Sequence, residues 1–284
     1  MSRVLIAGCG DVGTHLGQQL VRAGHHVLGL RRQTELLPDE IEPVRVDLCD
    51  PQSVRRLPRS VDYIVYALSP DHPSENAYIN AYQRGPRILI EGLRDVGATI
   101  KRVVYVSSTR VYSQTNGDWV DEDSKTEAVE FRANALIAGE RFFASCGLNA
   151  VVLRLAGIYG PGRSNLIRRV EAGTTCRESP PRFTNRIHRD DCVGVLQHLL
   201  ELRSPGSIYV GVDHCPAPQC EVMDWIAERI GVTRPPREAL KSTDRVSNKR
   251  CSNRRLIASG YRFRYPTYRE GYASVLSNWP IKHG

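Results

Sequence analysis

The sequence predicts a doubly wound α/β fold, in which helices cover both faces of a parallel β-sheet. Short apolar runs alternate with helical patterns from the first residues onward, which is the order of a β-α-β-α chain. The apolar runs are continuous rather than alternating with polar residues, as a sheet buried on both faces requires. A glycine-rich turn also joins the first strand to the first helix, where folds of this class bind ligands.

The first half of the chain carries the predicted sheet. Gly24 ends the first helix, while Asp50 caps a short helix whose first turn contains Pro51. The first helix is predicted at residues 11–23, and two further long helices are predicted at 74–96 and 127–145. The strands are predicted at residues 4–7, 26–30, 44–48, 63–68, 102–107 and 150–155.

After about Gly157 the apolar pattern loosens, and proline and glycine become frequent. Helices at 190–203 and 221–230 are separated there by short strands. We therefore predict a main domain over residues 1–160, to which the helix at 190–203 returns. Residues 161–284 mainly form a smaller lobe.

Composition limits the function classes. The chain has 284 residues, of which 41% are hydrophobic and 25% charged, and these values are typical of a globular protein. The net charge of +8 favours anionic partners, but the arginine pairs are dispersed, so we expect a small anionic molecule rather than nucleic acid. The absence of a long apolar run or a secretory signal predicts a cytoplasmic protein without membrane contact. The eight cysteines form no C-x-x-C pair, so we expect free thiols and no metal site.

The turn Gly8-Cys9-Gly10-Asp11-Val12-Gly13 has the pattern G-x-G-x-x-G between a strand and a helix. Gly8 permits the tight turn, Gly10 lets the backbone approach a pyrophosphate, and Gly13 lets the helix pack on the strand. The N–H groups of the helix N-terminus then face the anion. The motif predicts dinucleotide binding, and the competing interpretation is a plain tight turn.

Arg31 and Arg32 end the second strand, where an NAD site carries an acidic residue. A guanidinium matches a 2′-phosphate, so NADP(H) is the expected cofactor and NAD the alternative, unless both arginines face solvent. The other residues expected to line the cofactor are those that end the third, fourth and fifth strands: Asp47 and Leu48, then Ala67, Leu68 and Ser69, and then Ser107.

Four motifs occur in order: the glycine-rich turn, VYVSSTRVY at 104–112, RLAGIYGPG at 154–162 and RIHRDD at 186–191. Together they resemble the extended short-chain dehydrogenase/reductase superfamily, the NAD-dependent epimerase/dehydratases of nucleotide sugars. The stretch SNKRCSN at 247–253 resembles an atypical bacterial branch of it. The resemblance implies a Rossmann-type fold with a small C-terminal substrate lobe. It also implies that Ala156, Gly157 and Ile158 line the nicotinamide and that Tyr159, Arg163, Asn185 and His188 face the substrate.

The family's usual centre is a serine or threonine, a tyrosine, and a lysine four residues after the tyrosine, which lowers the tyrosine's pKa. Counting back from Glu140, the tyrosine position falls on Arg132 and the lysine position on Leu136. The serine is retained as Ser108.

Three interpretations of this departure stay open. In the first, Tyr112 or Tyr159 acts as a relocated acid or base while Ser108 orients the substrate. In the second, the protein binds its cofactor without turnover, as a redox sensor or regulatory protein. In the third, the cofactor donates hydride while water or the substrate supplies the proton. Tyr112 has a competing role as a packed tyrosine, His188 as a histidine bonded to Asp190 or Asp191, and Arg154 as an ion-pairing arginine.

The sequence as a whole predicts an NAD(P)-binding, epimerase/dehydratase-like oxidoreductase acting on a nucleotide sugar or another small phosphorylated substrate. The alternative is a non-catalytic NADP(H)-binding redox sensor or regulatory protein.

Overall fold

A computed structural model describes residues 1–50, 52–127, 130–239 and 247–280. Pro51, predicted in the first turn of a short helix, lies outside the described residues. The chain divides into two compact units, each built from separate stretches of sequence. Unit 1 comprises Met1–Val111, Lys125–Arg154 and Val193–Tyr209. Unit 2 comprises Tyr112–Ser124, Leu155–Cys192 and Val210–Gly284. The prediction used one boundary at residue 160, with one returning helix.

Strands occur in both units. In chain order they are β1 (Arg3–Ala7), β2 (His26–Arg31), β3 (Glu42–Arg45), β4 (Tyr63–Tyr66), β5 (Arg102–Ser108), β6 (Asp118–Val120), β7 (Ala150–Leu155), β8 (Gly157–Tyr159), β9 (Cys176–Ser179), β10 (Phe183–Thr184), β11 (Arg186–His188), β12 (Ile208–Gly211), β13 (Ala217–Pro218), β14 (Arg237–Ala239) and β15 (Lys249–Cys251).

The α-helices follow the same order, with 3₁₀ turns between some of them. They are α1 (Asp11–Arg22), α2 (Glu75–Ile79), α3 (Gly85–Asp95), α4 (Phe131–Ser145), α5 (Asn165–Glu171), α6 (Arg189–Glu201), α7 (Gln219–Ile230), α8 (Arg254–Ala258) and α9 (Tyr268–Leu276). Among the described residues, none of these helices has the length and apolar character needed to span a membrane.

The central sheet has seven strands in the order β12-β7-β5-β4-β1-β2-β3. Strand β1 pairs in parallel with β2 on one side and with β4 on the other, so the strand order reverses at β1. This arrangement confirms the predicted doubly wound, Rossmann-type fold. Because ligands bind beside such a reversal, at the carboxyl ends of the strands, the loops after β1, β2 and β4 are the expected binding region.

Burial explains why the strands are continuously apolar. Val4, Leu5, Ile6 and Ala7 of β1 are each at most 1% exposed, so both faces of this strand are covered. The core of unit 1 combines such strand residues with the buried face of α3, including Leu89. A chain in which each side chain of a central strand is buried gains no advantage from polar alternation.

The third strand begins and ends earlier than predicted, at Glu42–Arg45 instead of 44–48. The Ser53 hydroxyl donates to the Asp47 carbonyl at 2.7 Å and accepts from the Asp47 N–H at 3.1 Å. These bonds occupy the backbone groups that a longer strand would use for pairing. Asp47 therefore lies in the loop after β3.

The helix predicted at 74–96 contains a π-helical turn at Asn80–Arg84, between α2 and α3. The helix predicted from Glu127 begins at Phe131, because the Glu127 N–H donates to the Val111 carbonyl outside any helix. Ala128 and Val129 lie outside the described residues.

Unit 2 is built from short paired strands around its own core. β8 pairs with β11 and β6 with β15, both in parallel. Cys176 on β9 and Cys220 on α7 form a disulfide, with Cα atoms 5.4 Å apart, where the sequence predicted free thiols. The two cysteines are 44 residues apart, so their spacing in the sequence did not indicate a disulfide.

Candidate functional site

The glycine-rich turn has the geometry that its motif requires. Gly8 has φ of +103°, and a Cβ on it would lie 2.6 Å from the Ala67 backbone. A Cβ on Gly13 would lie 2.3 Å from the Gly8 carbonyl oxygen, so only glycine lets α1 approach the turn. A Cβ on Gly10 would meet no atom within 4 Å. The space beside Gly10, at the N-terminus of α1, is therefore open to an anionic ligand.

A cleft of about 750 Å³ lies in unit 1 at the carboxyl ends of β1, β2, β3 and β4. The cleft brings together nine of the predicted cofactor residues: Gly8, Gly10, Arg31, Arg32, Asp47, Leu48, Ala67, Leu68 and Ser69. The predicted residues Asp11, Val12, Gly13 and Ser107 do not line it. Its size and its glycine-rich floor fit the adenosine and phosphate portions of a dinucleotide.

The remaining wall of the cleft was not predicted. Asp71 and His72 come from the loop after β4, and Asn76 and Asn80 come from α2 and the π turn. These positions belong to no recognised sequence motif, and the path of the chain after β4 brings them to the cleft. Helical spacing alone would have put Asn76 and Asn80 on one face of the helix predicted at 74–96.

The two arginines of the cleft have different partners. The Arg31 guanidinium donates through Nη1 to the Cys9 carbonyl at 3.0 Å and so braces the glycine-rich turn. Arg32 Nη2 lies 2.6 Å from Asp71 Oδ1, and this hydrogen bond raises the pKa of Arg32. Cys9 itself is 1% exposed, and burial raises the pKa of its thiol to about 12, so it is not a nucleophile at neutral pH.

Asp47 and Leu48 follow β3 at the cleft. The Asp47 carboxylate accepts from the Cys49 N–H at 2.9 Å, which fixes the side chain in a turn. Leu48 is 3% exposed and packs into the core of unit 1. Asp47 is therefore the more available of the two for a polar contact with a ligand.

The serines at the end of β5 differ in availability. The Ser107 hydroxyl donates to Glu140 Oε1 at 2.6 Å, and both residues are buried. Glu140 also accepts from Arg154 Nη2 at 2.7 Å, which gives Arg154 the ion-pairing role that the sequence left open. Ser108 is half-buried and accepts from the Arg110 N–H at 3.2 Å, so its hydroxyl hydrogen is not used in that bond.

The positions expected to hold the tyrosine and lysine lie at the start of α4. Arg132 is partly exposed, and its guanidinium carbon lies 5.2 Å from the centre of the Phe131 ring and 5.9 Å from that of Tyr78. Leu136 is 2% exposed. Neither side chain supplies the proton-carrying hydroxyl or the ammonium group of the usual pair.

Tyr112 lies in unit 2 and is 1% exposed. Its hydroxyl donates to the Asp121 carbonyl at 2.7 Å, and its own carbonyl accepts from Lys249 Nζ at 2.9 Å. These contacts favour the packed-tyrosine interpretation over the assignment of Tyr112 as an acid or base, which stays a prediction.

The residues assigned to the nicotinamide and the substrate also belong to unit 2. Ala156 joins β7 to β8, whose first two residues are Gly157 and Ile158. The Ala156 N–H donates to the Gly211 carbonyl at 3.0 Å. Arg163 is exposed and closes a turn through its backbone bond to Gly160. Their contacts to a cofactor or substrate stay predictions.

The other predicted substrate residues hold unit 2 together. Asn185 donates to the Lys249 carbonyl at 2.9 Å and accepts from the Cys251 N–H at 2.7 Å. His188 is 1% exposed, its Nδ1 accepts from the Asp190 N–H at 3.2 Å, and burial lowers its pKa to about 4. The ring is therefore neutral at physiological pH and bonded to Asp190, as its competing interpretation stated. Tyr159 is 4% exposed and packs on Tyr272, with ring centres 4.4 Å apart.

Comparison with known proteins identifies a family. The model of the NAD dependent epimerase/dehydratase family matches residues 4–204. A 3-diazoavenalumate denitrifying reductase from a Streptomyces species is 28% identical over 306 aligned positions, which cover 95% of this chain and 98% of that protein.

Solved structures show the same fold. A putative NAD-dependent epimerase/dehydratase from Methylobacillus flagellatus is 32% identical, with a TM-score of 0.80 over 97% of this chain and 98% of that one. The Bordetella bronchiseptica enzyme WbmG, solved in complex with NAD and UDP, is 16% identical, with a TM-score of 0.79 over 98% of this chain and 94% of that one. The second likeness concerns the fold alone.

Proposed function

The chain belongs to the NAD-dependent epimerase/dehydratase family, and from that membership we propose that it is an NADP(H)-dependent oxidoreductase. The observation that carries the cofactor choice is the position of Arg31, which ends β2, and of Arg32, which follows it, because both line the cleft. A guanidinium donates to phosphate oxygens with two parallel N–H groups, whereas it cannot accept a bond from the 2′-hydroxyl of NAD.

For the reaction we propose reduction by hydride transfer without a tyrosine base. The bound nicotinamide supplies the hydride. Arg132 and Leu136 stand where the family's acid–base pair is expected, so the substrate or water supplies the proton. The likeness to a reductase over 95% of the chain supports this direction. Ser108, half-buried at the end of β5, is the candidate for orienting the substrate.

The substrate class we propose is a small anion, either a nucleotide sugar or another phosphorylated molecule. The family membership and the net charge of +8 support this class. A second candidate function is a redox sensor that binds NADP(H) without turnover. The same observation at Arg132 and Leu136 favours it, because a sensor needs no acid–base pair.

The cofactor proposal is tested by titrating NADP⁺ and NAD⁺ into wild type, Arg31→Ala and the control Arg59→Ala by calorimetry. Arg59 is exposed and does not line the cleft, so its replacement removes one charge without touching the site. We expect Arg31→Ala to weaken NADP⁺ binding about 10- to 100-fold, the worth of a charged hydrogen bond. NAD⁺ binding should weaken less than NADP⁺ binding, because the variant costs it only the hydrogen bond that braces the glycine-rich turn. A wild type that prefers NAD⁺ would refute the NADP(H) assignment.

Turnover separates the enzyme from the sensor. NADPH oxidation is followed by absorbance with a panel of nucleotide sugars and carbonyl compounds. An oxidoreductase consumes NADPH with at least one of them, and Ser108→Ala slows the reaction while leaving NADPH affinity unchanged within about twofold. A protein that binds NADPH tightly but does not oxidise it with any compound of the panel supports the sensor instead.

A further inference from the structure

An ion pair joins two loops of the cleft on either side of β1. Arg32 follows β2, Asp71 belongs to the loop after β4, and both strands pair with β1. Arg32 Nη2 lies 2.6 Å from Asp71 Oδ1, with the two side chains 55% and 54% exposed. Both residues line the cleft, so the pair lies within reach of a bound dinucleotide.

The two arginines are therefore not equivalent as phosphate ligands. Arg31 is braced against a neutral backbone carbonyl, so its charge stays available to an anion. Arg32 already faces a carboxylate, and a phosphate that draws on Arg32 has to share it with Asp71. Asp71 also places a negative charge beside a group that carries about −1.5 to −2 charges at neutral pH.

We propose that Asp71 sets the cleft's preference between phosphorylated and unphosphorylated dinucleotides by competing with the 2′-phosphate for Arg32. This inference rests on the proposed NADP(H) function. Asp71 opposes the phosphorylated cofactor in two ways, because it occupies Arg32 and repels the phosphate. For NAD the same carboxylate is an acceptor for the ribose 2′-hydroxyl. Asp71 therefore weakens the binding of NADP and strengthens the binding of NAD, and both effects reduce the preference for NADP.

Removing the carboxylate should therefore widen the preference. In Asp71→Asn the amide keeps the size of the side chain but removes the charge. Exposed ion pairs of this kind are weak, so the free energy needed to separate Arg32 from Asp71 is modest, and so is the gain in affinity when that cost is removed. We expect NADP⁺ to bind about three- to tenfold more tightly, whereas NAD⁺ binds equally or more weakly.

The test measures dissociation constants by calorimetry for NADP⁺, NAD⁺, 2′,5′-ADP and 5′-AMP. The last two probes contain only the adenosine end of the cofactor, so their affinities do not depend on contacts to the nicotinamide. The variants are Asp71→Asn, Arg32→Ala and the double variant, with Glu91→Gln as a charge control. Glu91 is exposed on α3 and does not line the cleft.

The expected result is a higher ratio of 2′,5′-ADP to 5′-AMP affinity in Asp71→Asn and an unchanged ratio in Glu91→Gln. If Asp71 acts through Arg32, its replacement in the Arg32→Ala background raises the ratio less. A ratio that stays the same or falls in Asp71→Asn overturns this inference, and a fall means that Asp71 holds Arg32 in place for the phosphate. A wild type that binds neither NADP⁺ nor 2′,5′-ADP overturns the proposed function itself.

Discussion

Two buried aspartates of unit 2 differ in how completely their oxygens are paired. Asp191 Oδ1 accepts from the Tyr261 hydroxyl and the Arg264 N–H, and Oδ2 accepts from the Tyr265 N–H, each at 2.8 to 2.9 Å. Asp213 Oδ1 accepts from the Cys215 N–H at 2.9 Å, but its Oδ2 has no partner among the described residues. Burial raises the pKa of Asp213 to about 7, although Arg186 opposes the shift.

This difference predicts opposite outcomes for the same substitution. A carboxyl whose pKa is higher in the folded state binds more protons there, so the free energy of unfolding falls as pH rises from about 4 to about 7. Asp213→Asn removes this loss, which is at most roughly 4 kcal/mol. About a third of this loss is already present at pH 5, so the variant should exceed wild type in stability there by roughly 1–2 kcal/mol and by roughly 4 kcal/mol at pH 8, measured by urea denaturation.

Asp191→Asn is the matched comparison. Its amide group turns a donor toward an N–H donor, so we expect a loss of about 1–3 kcal/mol at pH 5. Burial raises the pKa of Asp191 as well, so this loss should be smaller at pH 8. If Asp213→Asn and wild type keep a constant difference between pH 5 and pH 8, Asp213 does not titrate as its burial implies.

At the scale of elements, the π turn between α2 and α3 has a cause that the sequence contains. The Gly85 N–H donates to the Asn80 carbonyl, which is the i→i+5 bond of a π turn. The next carbonyl, that of Ala81, would pair in the same pattern with residue 86, but Pro86 has no N–H. The Tyr66 hydroxyl donates to it instead, at 2.6 Å. A Cβ at position 85 would lie 2.5 Å from this hydroxyl, so Gly85 makes the bond possible.

The pairing of the Ala81 carbonyl predicts that two neighbouring tyrosines respond differently to loss of their hydroxyls. Tyr66 and Tyr105 are both fully buried, with ring centres 5.9 Å apart. Tyr66→Phe leaves the Ala81 carbonyl unpaired and should cost about 1–3 kcal/mol of unfolding free energy. The Tyr105 hydroxyl has no partner among the described residues, so Tyr105→Phe should be neutral or stabilising. Equal losses in the two variants, measured by chemical denaturation, contradict this account.

The π turn also shows where sequence patterns stop. Periodicity identified the helical segment at 74–96 but did not reveal the π turn at Asn80–Arg84 within it. The pair Gly85-Pro86 lies inside this predicted helix, and nothing in the sequence placed Tyr66 beside it. The same limit applies to Asp71. The arginines follow a strand directly and could be placed in the cleft from the motif, whereas Asp71 lies in a loop whose path depends on its packing.

At the scale of the whole molecule, the parallel sheet was predictable because the central strands are largely apolar and helices such as α1 and α3 carry a buried face. The glycine-rich turn located the cleft for the same reason, since its spacing reflects backbone contacts that only glycine permits. The division into units was less accessible. Residues 112–124 join unit 2 although they lie inside the stretch predicted as the main domain, whereas for the helix near 190–203 a return to the main domain was expected. Which unit a segment joins depends on long-range contacts, and hydrophobic periodicity carries no information about them.

The net charge of +8 yields a last prediction that concerns the molecule's field as well as its cleft. NADP⁺ carries nearly two more negative charges than NAD⁺ at neutral pH. Salt shortens the screening length from about 10 Å at 0.1 M to about 3 Å at 1 M, so it weakens attraction to exposed arginines most. Raising NaCl from about 50 to about 500 mM should therefore weaken NADP⁺ binding several-fold more than NAD⁺ binding, as measured by calorimetry.

In Arg31→Ala the two salt dependences should converge, because the 2′-phosphate has lost a cation that contributes to the difference. Equal salt dependences in wild type mean that the added phosphate does not meet the arginines, and that the positive charge of the chain serves another contact.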